Sequence, residues 1–310
     1  MKKRIGKIAG IIIALCMIVL IFIAFNILPV IGKVNIRGIF SDYDYTIMNN
    51  EVYLTKYHGD EAKVIIPDKI LFRNVVGIGS KKNDSEFEIG TFQGNQKITS
   101  VGLPDTVKII GALSFADCSR LTDVKLSDNL ETIGDNAFSY APITQIVVPG
   151  NVQYIGYGAF LKCKQLNKIS ISKSVKYIGD AAFGYTPWLK TQTDDFVIVG
   201  DGILLKYFGS SRQIVIPDGV KEICGDAFTE YDKANTGVIF DDVEYVKMPK
   251  SVEKIGDFTL KWDGKTKVYF EDEDIDFGYY AIGRYCTIIA PKGSSAEKYA
   301  IDNGIKYQNQ

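Results

Sequence analysis

The chain has 310 residues, with 36 basic and 37 acidic side chains, one histidine and five cysteines. Its 18 tyrosines and 17 phenylalanines exclude a disordered chain. A lone histidine, His58, argues against histidine-based metal clusters and a Ser/His/Asp centre. From residue 34 onward there are 31 basic and 37 acidic side chains, a balance of about −6. That argues against nucleic acid as a partner, because phosphate binding needs a basic face.

Residues 1–7 carry Lys2, Lys3, Arg4 and Lys7 and no acid, and read as a cytoplasmic tail. Residues 8–31 are almost wholly apolar, with Asn26 late in the run. At ~1.5 Å per residue this stretch crosses a ~30 Å hydrocarbon layer with some tilt. The basic cluster before it favours an N-inside, C-outside signal-anchor. A cleaved signal peptide competes with this reading. Its apolar core usually runs only ~7–15 residues and ends at a small-x-small site. Here Asn26-Ile27-Leu28-Pro29-Val30-Ile31-Gly32 offers none. Cys16 follows bulky Leu15, unlike a lipoprotein site. Residues 32–43 read as a short linker and 44–310 as one extracellular region.

Within that region, Leu54-x-x-Tyr57-x-Gly59 followed by Val64-Ile65-Ile66-Pro67-Asp68 reads as a hairpin leading into a strand. The same module returns 150 residues later, as Leu204-x-x-Tyr207-x-Gly209 and Ile214-Val215-Ile216-Pro217-Asp218, an insertion at about 194–218. Between the copies lies a shorter repeat. Val107-x-x-Ile110-Gly111, Leu130-x-x-Ile133-Gly134, Val152-x-x-Ile155-Gly156 and Val175-x-x-Ile178-Gly179 start 23, 22 and 23 residues apart. Phe115, Phe138, Phe160 and Phe183 each lie four residues after the glycine, preceded by Ser114, Ala137, Ala159 or Ala182. A period-two strand completes each unit, such as Leu121-x-x-Val124-x-Leu126. The glycine, often followed by aspartate, suggests a turn into a short helical segment. One unit cannot bury its own apolar edge, so the units must stack. Looser units begin at Val220 and Val252. A cap is expected over 287–310: the strand Thr287-Ile288-Ile289-Ala290, a helix started by Ser294-x-x-Glu297, and a stop at Gly304.

The Val-x-x-Ile-Gly-x-x-Ala-Phe units resemble the BspA-like, Treponema-type class of bacterial leucine-rich repeats. The two Tyr-x-Gly to Ile-Pro-Asp modules and the end Gly293-Ser294-x-Ala296-x-x-Tyr299-Ala300 look like that family's flanking pieces. The resemblance covers about residues 44–307 and departs at Ser80 to Glu86 and around Tyr231 to Asp242. It implies a leucine-rich-repeat-type solenoid, mainly β with short helical turns, in a surface-exposed adhesin or binding module. It implies no single ligand.

Catalytic candidates are poor. Ser170-x-x-Lys173 and Ser251-x-x-Lys254 match a penicillin-binding spacing without its companion motifs. Gly77-x-Gly79 lacks the third glycine of a nucleotide loop. Asp272, Asp274 and Asp276 have the odd spacing of a calcium loop, but the glycine falls one place late, at Gly278, and position twelve is Gly283. Cys118 and Cys163 sit two coils apart, ~10 Å at strand spacing and too far for a disulfide. Neither enzyme, cofactor, metal nor small-molecule substrate is expected. What remains is surface: Asp123, Lys125, Gln145, Val147, Lys168 and Ser170 point outward from one row of strands, and Tyr154 and Tyr177 from the other. Stacking aligns them into rows suited to a protein or glycan at the cell surface. An alternative role is a scaffold within an envelope complex, because the linker keeps the solenoid near the membrane.

Overall fold

The computed structural model describes residues 34–36, 42–79, 90–228, 243–260, 265–271 and 274–310. The apolar stretch 8–31, the Ser80 to Glu86 insertion, the 231–242 departure and Asp272 lie outside them. Among the described residues no helix is long and apolar enough to cross a membrane.

The repeat becomes a mainly β solenoid of about 10 turns. The coils supply short strands in two rows, and within each row most strands pair in parallel with their counterpart in the next coil. In the first ladder Lys63–Ile65, Ser100–Gly102 and Asp123–Lys125 align Val64, Val101 and Val124. Gln145–Val147 and Lys168–Ser170 continue it, with Ile146 against Ile169. The second ladder aligns Ile78, Ile110, Ile133, Ile155 and Ile178, all buried. Equal spacing in sequence thus sets like residue on like residue, and each coil covers the apolar edge of its neighbour.

The segment after each glycine is not the short helix that the sequence suggests. Two residues per coil adopt positive φ, such as Leu113 and Asp117, Asn136 and Tyr140, and Ala181 and Tyr185. A helix cannot contain them. The backbone bonds between coils instead: the N–H groups of Leu113, Phe115 and Asp117 donate to the carbonyls of Asp135, Ala137 and Ser139. The chain runs so close here that a Cβ on Gly156 would lie 2.5 Å from the Asp135 nitrogen. Ser114, in a slot filled by alanine in the next three coils, is tolerated because its hydroxyl donates to the Ile78 and Gly111 carbonyls.

A phenyl column fills the interior. Phe92, Phe115, Phe138, Phe160 and Phe183 stack at 5.0, 5.1, 5.3 and 5.3 Å, with the last two pairs within 4° of parallel. Tyr57 of the first hairpin closes one end at 4.9 Å. Trp188 closes the other edge-on at 5.3 Å, in the short helix Pro187–Lys190 capped by Thr186.

The inserted hairpin, Phe196–Val199 against Ile203–Tyr207, joins the second ladder beside Glu222–Ile223. It begins a second run of coils with its own core, from Leu204 to Ile305. The strand Val34–Ile36 pairs antiparallel with Tyr43–Met48, inside the stretch read as linker. At the other end the helix Ser295–Asp302 carries the chain to an extra parallel strand, Lys306–Asn309, beside Thr287–Ala290. The open edge is therefore a polar strand bearing Lys306, Gln308 and Asn309, which blunts it against further pairing.

Candidate functional site

The six residues expected on the first ladder all lie exposed on one face. Register sets Gln145 beside Lys168 and Val147 beside Ser170. Asp123 accepts a hydrogen bond from Ser100 at 3.2 Å. Val147 is 67% exposed, but Gly102, Lys125 and Ser170 hold the same strand position in the coils around it. The face is mixed and solvated rather than an apolar patch.

Tyr154 and Tyr177 do align, with rings 4.7 Å apart and 11° from parallel. They are half-buried rather than freely exposed. The Lys254 ammonium reaches across the inserted hairpin to lie 4.2 Å over the Tyr177 ring, while pairing with Glu222 at 3.1 Å. Burial first, and the neighbouring Tyr154 second, push the Tyr177 hydroxyl well above its ordinary range. The aromatic row therefore ends in a cation from the second run of coils.

Charged groups gather inside this seam. Lys206 is fully buried, and its ammonium donates to the Asp226 carbonyl at 2.8 Å. Burial pushes the Asp226 carboxyl up to about 7; Asp180 reinforces the shift and Lys206 opposes it. Asp180 also accepts from the Gly225 N–H at 2.7 Å, as Asp135 does from Tyr157 and Asp257 from Tyr279. Cys224 occupies the slot that holds glycine in the regular coils, its N–H donating to the Leu204 carbonyl.

The remaining candidates are tied to the scaffold. The Cys118 and Cys163 sulfurs each sit 3.1 Å from a phenylalanine carbonyl, Phe92 and Phe138 respectively. Burial pushes the Cys118 thiol up to about 12 and Cys286 up to about 11, and raises Cys163 and Cys224 as well, so these thiols are poor nucleophiles. Ser251 donates to the Val220 carbonyl rather than facing Lys254. His58 pairs with Asp44 at 3.0 Å. Among the described residues no group of three or more His, Cys, Asp or Glu is placed to hold a metal.

Sequence reasoning looked to the strands and missed the turn edge. Tyr140, Lys162 and Tyr185 occupy the left-handed position two residues after the stacked phenylalanines. The Lys162 ammonium lies 2.9 Å from the Tyr140 hydroxyl and 5.0 and 5.6 Å from the two ring centres. Phe258, Tyr279 and Tyr280 form a second exposed aromatic group on this edge. The available signal was an aromatic residue two places after the repeat phenylalanine, or directly after the glycine, as in Gly156-Tyr157 and Gly278-Tyr279.

With two parallel ladders, a phenyl column and a hydrogen-bonded turn edge, the fold defines a leucine-rich-repeat solenoid. Residues 85–196 match, in six copies, the family described as BspA type leucine rich repeat region, and this stretch is such a region. Proteins built from these repeats are generally surface or binding proteins. Among solved structures, a T. pallidum leucine-rich-repeat protein is 20% identical, with 86% of this chain and 95% of that one covered and a TM-score of 0.43. The pneumococcal vaccine antigen PcpA is 15% identical over 84% and 82%, also with a TM-score of 0.43. A leucine-rich cell surface protein of Faecalibacterium prausnitzii A2-165 is 21% identical over 83% and 76%, with a TM-score of 0.41. No curated protein matches the chain significantly.

Proposed function

We propose that this is a membrane-anchored cell-surface protein, held by residues 8–31 with its N-terminus inside, whose extracellular solenoid binds a protein or glycan partner without catalysis. The observation that carries this reading is the long exposed surface of the coils: a solvated strand face on one side and aromatic side chains along the turn edge. Such surfaces present extended, rigid contact area, and aromatic side chains are effective anchors on it. The buried cysteines and Ser251, bonded to the Val220 carbonyl, supply no activated nucleophile beside a base. The apolar stretch and its basic flank support the orientation.

Protease shaving of intact cells tests this reading. Cleavage beyond residue 44 that leaves a membrane-bound N-terminal stub is the expected result. Protection in intact cells, with cleavage only after lysis, would remove the surface reading and redirect the search to internal partners.

A further inference from the structure

The turn edge ends in a cleft of about 560 Å³, the size range of small-ligand sites. Its origin is a step in the solenoid. Along the edge, most left-handed turns are hydrogen-bonded to the next coil; Phe258, for instance, donates its N–H to the Tyr279 carbonyl. Tyr280 stands in the last such turn, parallel to Phe258 at 6.0 Å. Beyond it the strand Thr287–Ala290 still pairs with Lys267–Tyr269, and the chain then leaves the coil pattern for the helix Ser295–Asp302. The C-terminal end of that helix, at Asp302 and Asn303, also lines the cleft.

We infer that this cleft, lined by Phe258, Tyr280, Arg284, Tyr285, Asp302 and Asn303, binds a neutral sugar unit of a glycan. The inference rests on the binding-surface reading above and gives it a place and a ligand class. A sugar ring has apolar C–H faces and a rim of paired hydroxyls. It therefore calls for exposed aromatic rings together with planar groups that hydrogen-bond in pairs. Tyr280 and Tyr285 are 49% and 59% exposed, so part of each ring is open to a ligand. Arg284 and Asp302 are exposed, and among the described residues neither has an ion-pair partner. Asn303 is held in place by its side-chain N–H donating to the Tyr299 carbonyl at 2.9 Å. One cation against one carboxylate leaves the walls without net charge, which disfavours a polyanion and a polycation alike. Half of the lining is polar, which fits a hydroxylated ligand better than a dry apolar peptide.

The test uses the full chain in a zwitterionic detergent, so that no sugar headgroup competes. Chitotriose, cellotriose, maltotriose, mannotriose and, as the charged control, heparin are titrated in by calorimetry. At least one neutral trisaccharide is expected to bind in preference to heparin. Tyr280→Ala and Tyr285→Ala should each weaken that binding roughly tenfold or more, and Asp302→Asn about threefold or more. Tyr285→Phe, which keeps the ring, should stay within about threefold and guards against loss through misfolding. Lys108→Ala, which breaks only an exposed ion pair with Glu131 in the first run of coils, should leave binding unchanged. Failure of all four neutral trisaccharides, preference for heparin, or binding that survives both alanine variants would each overturn the site. A chain that is shaved from intact cells yet binds no neutral trisaccharide loses this site and keeps its surface role. A chain that binds sugar but is protected in intact cells does the reverse.

Discussion

The two runs of coils share a backbone plan and differ in how they fill it. Between Phe92 and Phe183 one side chain type recurs at near-constant spacing, and the rings stack in a single near-parallel column. In the second run Phe228, Leu260 and Ile282 follow one another in that slot. Phe228 meets Tyr207 at 46° rather than face to face. Yet the ladders keep strict register in both: Ile223 pairs with Ile255 as Ile133 does with Ile155. The strand pattern therefore sets the coil, while the filling of the interior is free so long as its volume is met. The family match ends at residue 196, and it is in the second run that the phenylalanine pattern lapses.

The sharpest way to break this comparison is to empty one slot in each run. Phe138→Ala removes the middle of the column and is expected to cost about 3–5 kcal/mol, against about 2–5 kcal/mol for Leu260→Ala. Denaturant unfolding read by hydrogen exchange in each run measures both. Equal losses would mean that the stacking geometry contributes nothing beyond volume.

The seam offers an intermediate effect. The Asp226 carboxyl moves from its ordinary 3.8 to about 7 on folding. A carboxyl raised in the fold contributes stability that is fully present below about pH 4 and is lost as pH climbs towards 7. Stability around Cys224 and Ala227 should fall across that window by up to about 1.4 kcal/mol per pH unit for one proton. Burial raises the Glu222 carboxyl in the same direction, so Asp226→Asn should flatten the slope without abolishing it. Amide exchange between pH 4 and 8 measures it. An unchanged slope in the variant would show that Asp226 is not the titrating group.

The smallest difference separates seam from surface. Lys254→Ala loses both the Tyr177 ring contact and the Glu222 pair, and should cost about 1–2 kcal/mol. Lys108→Ala breaks only an exposed pair with Glu131 in the regular run and should stay within about 0.5 kcal/mol. Thermal melts of the two variants side by side test this. A Lys254 variant as mild as the Lys108 one would reduce the seam to ordinary surface.

The sequence alone determined the repeat, both ladders, the inserted hairpin and the capping helix, because these depend on short-range spacing. Val-x-x-Ile-Gly every 22–23 residues places equal side chains in register whatever else the chain does. It also places Asp123, Lys125, Gln145, Val147, Lys168 and Ser170 outward, since strand side chains alternate. The turn edge was not legible in the same way. A segment that reads as glycine followed by helix-compatible residues adopts left-handed turns because its N–H groups find carbonyls in the next coil, partners invisible to local propensity. The seam and the terminal cleft needed the tertiary structure outright. Lys254 meets Tyr177, and Asp180 meets Gly225, only because the inserted hairpin brings coils more than forty residues apart in sequence side by side. The cleft beside Tyr280 exists only because the next coil is replaced by a cap. Such contacts are set by which coil lies beside which, and local spacing carries no information about that choice.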